Sequence, residues 1–179
     1  LQSCDALKEF IGISETKKSD IQDIFEDDLL RECVARLTAG LQAKEVTYIV
    51  CSGNSLKSLK GLEQFPNIRA LILNSNRLSQ VDLSVFPNLE YLDLSANRLK
   101  EIDISQNPKL IELFLDLNSL DELDTSNNPL LEALVLTGNS LSFLDITKNK
   151  VLEELVLEDN QFVGDMTLGS LDLSENTKL

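Results

Sequence analysis

In this 179-residue chain, the stretch LEYLDLSANRLKEIDISQNPKL (89–110) shows most clearly how the apolar residues are spaced. Its leucines and isoleucines recur at intervals that neither a 3.6-residue helical period nor a long alternating strand explains. The LxL alternation lasts only a few residues, which predicts a short strand with its leucines on one side. Asparagine follows at residues 97 and 107, where the chain has to turn. The stretch therefore predicts one coil of a repeating structure.

The same pattern recurs along most of the chain. An early copy, VTYIVCSGNSL (46–56), starts 22 residues before five further copies that align without gaps. These five copies start 21 residues apart: IRALILNSNRL (68–78), LEYLDLSANRL (89–99), LIELFLDLNSL (110–120), LEALVLTGNSL (131–141) and LEELVLEDNQF (152–162). One coil cannot bury its own leucines, but stacked coils share a core, so a fixed period of this length predicts a solenoid.

The asparagines of the repeat are predicted to be structural. An Asn amide both donates and accepts, so a stacked column can satisfy backbone groups that are buried at each bend. The first column occupies the ninth position of each copy: Asn54, Asn76, Asn97, Asn118, Asn139 and Asn160. The second column contains Asn107, Asn128 and Asn149, and Phe86 takes the same place in an earlier coil.

With its repeated form LxxLxLxxNxL, the sequence resembles the leucine-rich-repeat family, and its 21-residue period is similar to that of bacterial internalin-type proteins. The resemblance implies an α/β repeat solenoid, a right-handed superhelix with short parallel β-strands on its concave face. The second half of each repeat, Leu-Asp-x-Ser-x-Asn-Pro, leaves little room for a helix on the convex side. In this family, ligands usually bind the concave face.

Two domains are predicted. Residues 46–179 form the leucine-rich-repeat solenoid, with about six repeats and a truncated half-repeat. The segment LDLSENTKL (171–179) comes six residues later than the period requires, which predicts an inserted loop near 163–170. Leu179 stands where another strand should begin, so we expect the natural array to continue. Residues 1–45 lack the repeat and are predicted to form a helical N-terminal cap over the first coil.

The cap is predicted to contain one main helix over 19–41, with Ser19 as its N-cap and Gly40 at its C-terminal stop. A shorter helix is predicted over 4–11. The apolar face of the main helix is predicted to consist of Ile21, Ile24, Phe25, Leu29, Cys33 and Leu37.

The composition argues against an enzyme and against a cofactor. The chain has no His, which excludes histidine-based nucleophile systems and histidine zinc sites. Neither GxxxxGK[ST] nor GxGxxG occurs. The three cysteines, Cys4, Cys33 and Cys51, lie far apart in the sequence, which predicts free thiols in a reducing compartment and hence a cytoplasmic protein. The internalin-like repeat leaves a bacterial secreted or cell-surface location as the alternative.

The net charge of −14 is concentrated toward the C-terminus. Residues 111–179 contain fourteen acids and three bases, whereas residues 46–110 contain six acids and seven bases. Such a field repels nucleic acid and anionic lipid. No apolar run reaches the length of a membrane span, so no membrane insertion is expected. The charge favours a protein partner with a basic surface, and an acidic surface that serves solubility alone is the alternative.

Outward-pointing strand residues are the predicted partner-binding site. A central column has five apolar members of six, at Val50, Ile72, Asp93, Phe114, Val135 and Val156, which suggests an interaction stripe, although β-propensity alone also favours such residues. The predicted binding residues are Tyr48, Val50, Ile72, Tyr91, Asp93, Glu112, Phe114, Asp116, Val135, Glu154, Val156 and Glu158. We expect Tyr91 and Phe114 to be the anchors, because aromatic side chains are favoured at hot spots.

The sequence therefore predicts a module that binds a protein or peptide through its concave sheet. Two alternatives stay open at this point. The chain could be the recognition domain of a larger enzyme, such as a phosphatase or ligase, or it could be a bacterial surface adhesin or secreted effector.

Overall fold

The computed structural model describes residues 24–38, 41–162 and 171–179. Its centre is a sheet of six parallel three-residue strands in sequential order. The strands are β1 (Tyr48–Val50), β2 (Ala70–Ile72), β3 (Tyr91–Asp93), β4 (Glu112–Phe114), β5 (Ala133–Val135) and β6 (Glu154–Val156). Each strand pairs with the equivalent residues of the next copy of the repeat, so the predicted alignment is also the register of the sheet.

The core lies behind the sheet and is made by the same positions of every coil. In the coil that starts at residue 89, four leucines are fully buried: Leu89, Leu92, Leu94 and Leu99. The middle residue of each strand points inward while its two neighbours point outward, as the short alternation predicts. Within the described coils the convex side carries one 3₁₀ helix, Leu62–Gln64, in the first coil. The fold is the predicted leucine-rich-repeat solenoid.

The first asparagine column ties each coil to its neighbour. The side-chain amide of Asn97 donates to Leu94 O within its own coil at 2.9 Å and to Leu73 O of the preceding coil at 3.0 Å. Its Oδ1 accepts from the backbone amide of Leu78 at 3.0 Å. Equivalent bonds are made by Asn76, Asn118, Asn139 and Asn160. These asparagines are therefore structural, as predicted.

The second column makes a similar ladder on the far side of each coil. Asn128 is fully buried and donates to the carbonyl oxygens of Ile104 and Asn107 at 3.0 and 2.9 Å. Asn176 continues this ladder by donating to Ile146 O and Asn149 O at 3.0 and 2.8 Å. Asn176 lies six residues later in the chain than the 21-residue period requires. The asparagine ladder therefore continues in the coil that follows the insertion. The inserted residues 163–170 lie outside the described ranges.

The helical cap differs from its prediction in extent. The helix α1 spans Asp28–Leu37, and the chain leaves helical geometry between Ile24 and Asp28. Asp27 is the N-cap, and its Oδ1 accepts from the amides of Leu29 and Leu30 at 2.9 and 3.3 Å. The predicted uninterrupted helix over 19–41 is therefore wrong within the described residues. The predicted N-cap Ser19, the stop at Gly40 and the helix over 4–11 lie outside them.

This break also changes which face of the helix is buried. The buried residues of α1 are Leu30, Cys33, Val34 and Ala35, while Leu29 is 45% exposed and Leu37 is 37% exposed. The predicted face assumed one helical phase from Ile21 to Leu37. Because a new helix starts at Asp28, the phase is reset, and only Cys33 of the residues predicted within α1 lies on the buried side.

Candidate functional site

The strands present an outward surface that we call the sheet face. It consists of the two outward residues of each strand and the residue two positions after the strand. Its eighteen members are Tyr48, Val50, Ser52, Ala70, Ile72, Asn74, Tyr91, Asp93, Ser95, Glu112, Phe114, Asp116, Ala133, Val135, Thr137, Glu154, Val156 and Glu158. All twelve predicted binding residues lie on this face.

Exposure is uneven across the predicted apolar stripe. Tyr48 and Val50 at the N-terminal edge are 61% and 39% exposed. Ile72, Phe114 and Val135 are half-buried, because each is flanked by side chains of adjacent strands. The stripe is therefore partly covered, is interrupted by Asp93 between Ile72 and Phe114, and is most open at its N-terminal end.

The two predicted anchors contact each other directly. The rings of Tyr91 on β3 and Phe114 on β4 have centroids 5.4 Å apart and are tilted by 38°. Such a pair is favourable beyond the area that it buries. Burial raises the pKa of the Tyr91 hydroxyl, and the nearby charges of Asp93 and Glu112 raise it further. Like an ordinary tyrosine, Tyr91 is protonated at neutral pH, and its hydroxyl can donate a hydrogen bond in the middle of the sheet face.

Charge on the sheet face is of one sign. Five of its eighteen members are acids, none is a base, and all five acids lie on β3 or later in the chain. Among the described residues, none of these five carboxylates forms an ion pair. The N-terminal third of the face is thus uncharged and the remainder is negative.

Hydrogen bonds hold two of these carboxylates in place. Asp93 accepts from the amide of Ser95 at 3.0 Å. Asp116 accepts from the Ser95 hydroxyl at 3.1 Å and from the amide of Thr137 at 3.2 Å, so it spans three consecutive coils. These carboxylates are fixed before any partner arrives, which lowers the entropy lost on binding.

One residue at the border of this surface was missed by the sequence analysis. Leu117 directly follows Asp116 and has a 62% exposed side chain on a backbone with a φ of 52°. The signal was present in the sequence, because the equivalent residue of every other copy is Gly, Ser, Ala or Asp.

The cysteines also differ from their prediction. Cys33 of α1 and Cys51, directly after β1, form a disulfide with a Cα–Cα distance of 6.0 Å. The prediction of free thiols is therefore wrong for these two residues. They are far apart in the sequence, but the packing of α1 on the first coil brings them within the usual range for a disulfide.

Within the described ranges, no cluster of three or more His, Cys, Asp or Glu side chains is arranged to hold a metal ion. In the same ranges, no helix combines the length and the apolar character needed to cross a membrane.

Several solved structures are similar to this chain. The functional domain of InlJ from Listeria monocytogenes, described as including a cysteine ladder, is 30% identical with a TM-score of 0.80 and covers 88% of this chain. The leucine-rich-repeat protein LIC12759 of Leptospira interrogans is 25% identical with a TM-score of 0.68 and covers 76% of the chain. The chain spans 36% of the length of each of these two proteins.

Internalin C2 of Listeria monocytogenes shares the fold at 22% identity, with a TM-score of 0.73; the match covers 89% of this chain and 74% of internalin C2. No protein-family model matches the chain, and no curated protein matches it.

The parallel coils, the two asparagine ladders and these structural neighbours identify the chain as a leucine-rich-repeat protein. Its repeat is of the 21-residue type, and the internalins of Listeria monocytogenes are among its structural neighbours.

Proposed function

We propose that this chain is a protein-interaction module whose sheet face binds a basic, partly apolar segment of a protein partner. The observation that carries the proposal is the composition of that face, with an aromatic pair in the centre and five carboxylates that have no cationic partner among the described residues. Surfaces that combine aromatic anchors with unneutralised charge of one sign favour partners of opposite charge.

The distribution of charge suggests how a partner would lie. Val50 and Ile72, at the uncharged N-terminal end, offer apolar contact, and Glu112, Asp116 and Glu158 offer acceptors to Lys or Arg. A bound segment would place apolar side chains over β1 and β2 and cations over β4 to β6. Because the carboxylates are solvent-accessible, we expect affinity to fall with ionic strength.

The disulfide between Cys33 and Cys51 bears on location. Structural disulfides persist in oxidising environments and are rare in the cytosol. We therefore favour a secreted or cell-surface location over the cytoplasm. Mass spectrometry after alkylation under non-reducing conditions tests this in protein from its native source. At most one of the three cysteines should be modified, and modification of all three would contradict the assignment.

A peptide selection tests the proposed binding. A displayed library of random 12-residue peptides is selected on the wild-type chain. The chosen peptides are then titrated against a Phe114→Asp, Val135→Asp double variant whose folding is checked by circular dichroism. We expect enrichment of Lys and Arg together with apolar residues. We also expect at least a roughly tenfold loss of affinity in the double variant, because it removes the Phe114 ring and the apolar side chain beside it from the centre of the contact.

The matched control is Phe143→Asp. Phe143 is 57% exposed and lines an open groove of about 660 Å³ that contains no sheet-face residue. This substitution replaces an exposed aromatic side chain by aspartate away from the sheet face, adding one negative charge where the double variant adds two, and should leave binding unchanged. Selected peptides that bind the double variant as well as they bind the wild type would contradict the proposal.

A further inference from the structure

The same position of every coil has an unusual backbone conformation. The residue three positions after the strand adopts a left-handed conformation in all six copies, with φ values from 52° to 68°. Glycine adopts this conformation freely, whereas L-residues with a large side chain do so at a cost. The six residues are Gly53, Ser75, Ala96, Leu117, Gly138 and Asp159. Leucine is the only large apolar residue among them.

The side chain of Leu117 is not part of the core. It is 62% exposed, which is more than any other large apolar side chain among the described residues. It therefore gains little from burial, although its backbone is strained. Neither the fold nor the core gives a reason for leucine at this position.

The Leu117 side chain packs against the next coil. A Cβ atom placed on Gly138 would lie 2.8 Å from Leu117 Cδ2, so the leucine side chain lies over the bare backbone of Gly138. The amide of Leu117 donates to Thr137 O at 2.7 Å, and the amide of Gly138 donates to Glu158 O at 2.9 Å. These bonds fix the two backbones, and the leucine projects from a defined place beside the sheet face.

The surroundings of Leu117 are acidic. Asp116 precedes it, and Glu158 and Asp159 occupy the equivalent places two coils further on, about 10 Å away at two strand spacings. None of the six copies has Lys or Arg at these two positions. This exposed apolar side chain thus has one carboxylate beside it in sequence and two more on the C-terminal side of its coil, whereas the preceding coil has Ser95 and Ala96 at these positions.

We infer that Leu117 is a specificity-determining contact for the partner. The partner would place an apolar side chain against Leu117 and a neighbouring Lys or Arg against Asp116, Glu158 or Asp159. This inference rests on the proposed function of the sheet face and extends that surface by one residue at its border. In this account the strain at Leu117 persists because the exposed leucine binds the partner.

The test separates a binding role from a structural one. The probe is a peptide selected on the wild-type chain from the random 12-residue library, and the variants are Leu117→Gly and Leu117→Asn. Both residues tolerate the left-handed backbone, so we expect the melting temperature to rise or stay unchanged while the affinity falls about tenfold. A structural role would instead lower the melting temperature in both variants.

Two further variants sharpen the result. Leu130→Asn alters another leucine, 48% exposed and outside the sheet face, and should leave affinity unchanged. Gly138→Ala places a Cβ atom 2.8 Å from Leu117 Cδ2 and so displaces the leucine side chain. It should weaken binding although residue 117 is unchanged.

The outcomes also distinguish this inference from the proposed function. Affinity that depends on Phe114 and Val135 but changes less than about twofold in both Leu117 variants overturns the inference alone. If no selected peptide depends on Phe114 and Val135, the proposed function fails and the inference fails with it.

Discussion

Cys33 in α1 and Cys51 directly after β1 are joined by a disulfide across 18 residues of chain. Both side chains are buried, at 4% and 1% exposure, so the bond lies inside the contact between the cap and the first coil. The cap is thereby attached covalently to the open end of the repeat stack, which the first coil would otherwise expose.

Breaking this bond should destabilise the cap and the first coil. A loop of this length corresponds to about 3 kcal/mol in the chain-entropy view of disulfides. We expect a Cys33→Ser, Cys51→Ser variant to unfold at a lower urea concentration than the wild type, and dithiothreitol to shift the wild type in the same direction. Dithiothreitol should leave the double variant unchanged. An identical urea midpoint for the wild type and the variant would show that the bond does not hold the cap.

The asparagine ladder should contribute to stability beside the leucine core. Asn97→Ala leaves the Leu78 amide without its side-chain partner. It also removes one of the two side-chain donors to Leu73 O and to Leu94 O, which keep those of Asn76 and Asn118. An unpaired buried amide costs about 1–3 kcal/mol, so we expect the free energy of unfolding, measured with urea, to fall by roughly that amount.

The control for this measurement is Asn127→Ala. Asn127 is exposed, and its side chain makes one hydrogen bond of 3.4 Å to the hydroxyl of Ser126. We expect a change within about 0.5 kcal/mol, as for most surface substitutions. Equal effects of the two substitutions would contradict the structural role of the ladder.

Gly61 should be essential for the packing of the cap against the first coil. Its φ is 107°, and an added Cβ would lie 2.9 Å from Ile24 O and in collision with the ring of Phe25. Phe25 is 1% exposed, so it has little room to move. We expect Gly61→Ala to cost more than about 2 kcal/mol, from backbone strain and overpacking together.

Gly53→Ala is the matched control, since Gly53 has a φ of 68° and an added Cβ would meet no atom within 4 Å. We expect Gly53→Ala to lower the free energy of unfolding by about 1 kcal/mol, from backbone strain alone. Thermal unfolding of the two variants in parallel measures the difference. A Gly53 variant as unstable as the Gly61 variant would rule out the steric contribution of Phe25.

A column of surface aspartates predicts how stability depends on pH. The hydroxyl of the residue two positions on, and then its amide, lower the pKa of Asp103, Asp124 and Asp145 below the ordinary value of 3.8. A carboxyl whose pKa is lower in the folded state stabilises the fold above its unfolded pKa. That contribution is lost as the pH falls through the folded pKa.

We therefore expect the melting temperature of the wild type to fall between about pH 5 and pH 2. The melting temperature of a triple Asp→Asn variant at these residues should fall less over that pH range. The Asn side-chain oxygen still accepts from the turn amide, and it does not titrate. Parallel acid profiles of the two proteins would refute this explanation of the aspartate column.

The repeat itself was fully predictable from the sequence. Strand positions and register follow from the spacing of leucines such as Leu92 and Leu113, since each coil can bury its apolar residues only against the same residues of the next. Both asparagine columns follow from the same stacking of equivalent residues. The division into two domains at residue 46 stays a prediction.

Features that depend on tertiary contacts were not predictable in this way. The helix break before Asp28 arises where Asp27 caps α1 and also accepts from the amide of Lys57 in the first coil at 2.8 Å. The pairing of Cys33 with Cys51 requires the same packing of α1 on the first coil. Neither contact can be inferred from the local periodicity of the sequence.

The candidate site was predicted in position but not in detail. Outward strand residues such as Phe114 were identified correctly as members of the sheet face, whereas their partial coverage depends on neighbouring coils. The position of the Leu117 side chain depends on the missing Cβ atom of Gly138 in the following coil. Their role in binding stays a prediction.

The most direct test of the sheet face uses its own tyrosines. Tyr48 and Tyr91 are the only tyrosines of the chain, both lie on this face, and the chain has no tryptophan. Intrinsic fluorescence therefore reports on this surface alone. The measurement is acrylamide quenching of tyrosine emission with and without a saturating selected peptide that lacks aromatic residues. We expect the bound peptide to reduce quenching; unchanged quenching at saturation would place the binding site elsewhere on the molecule.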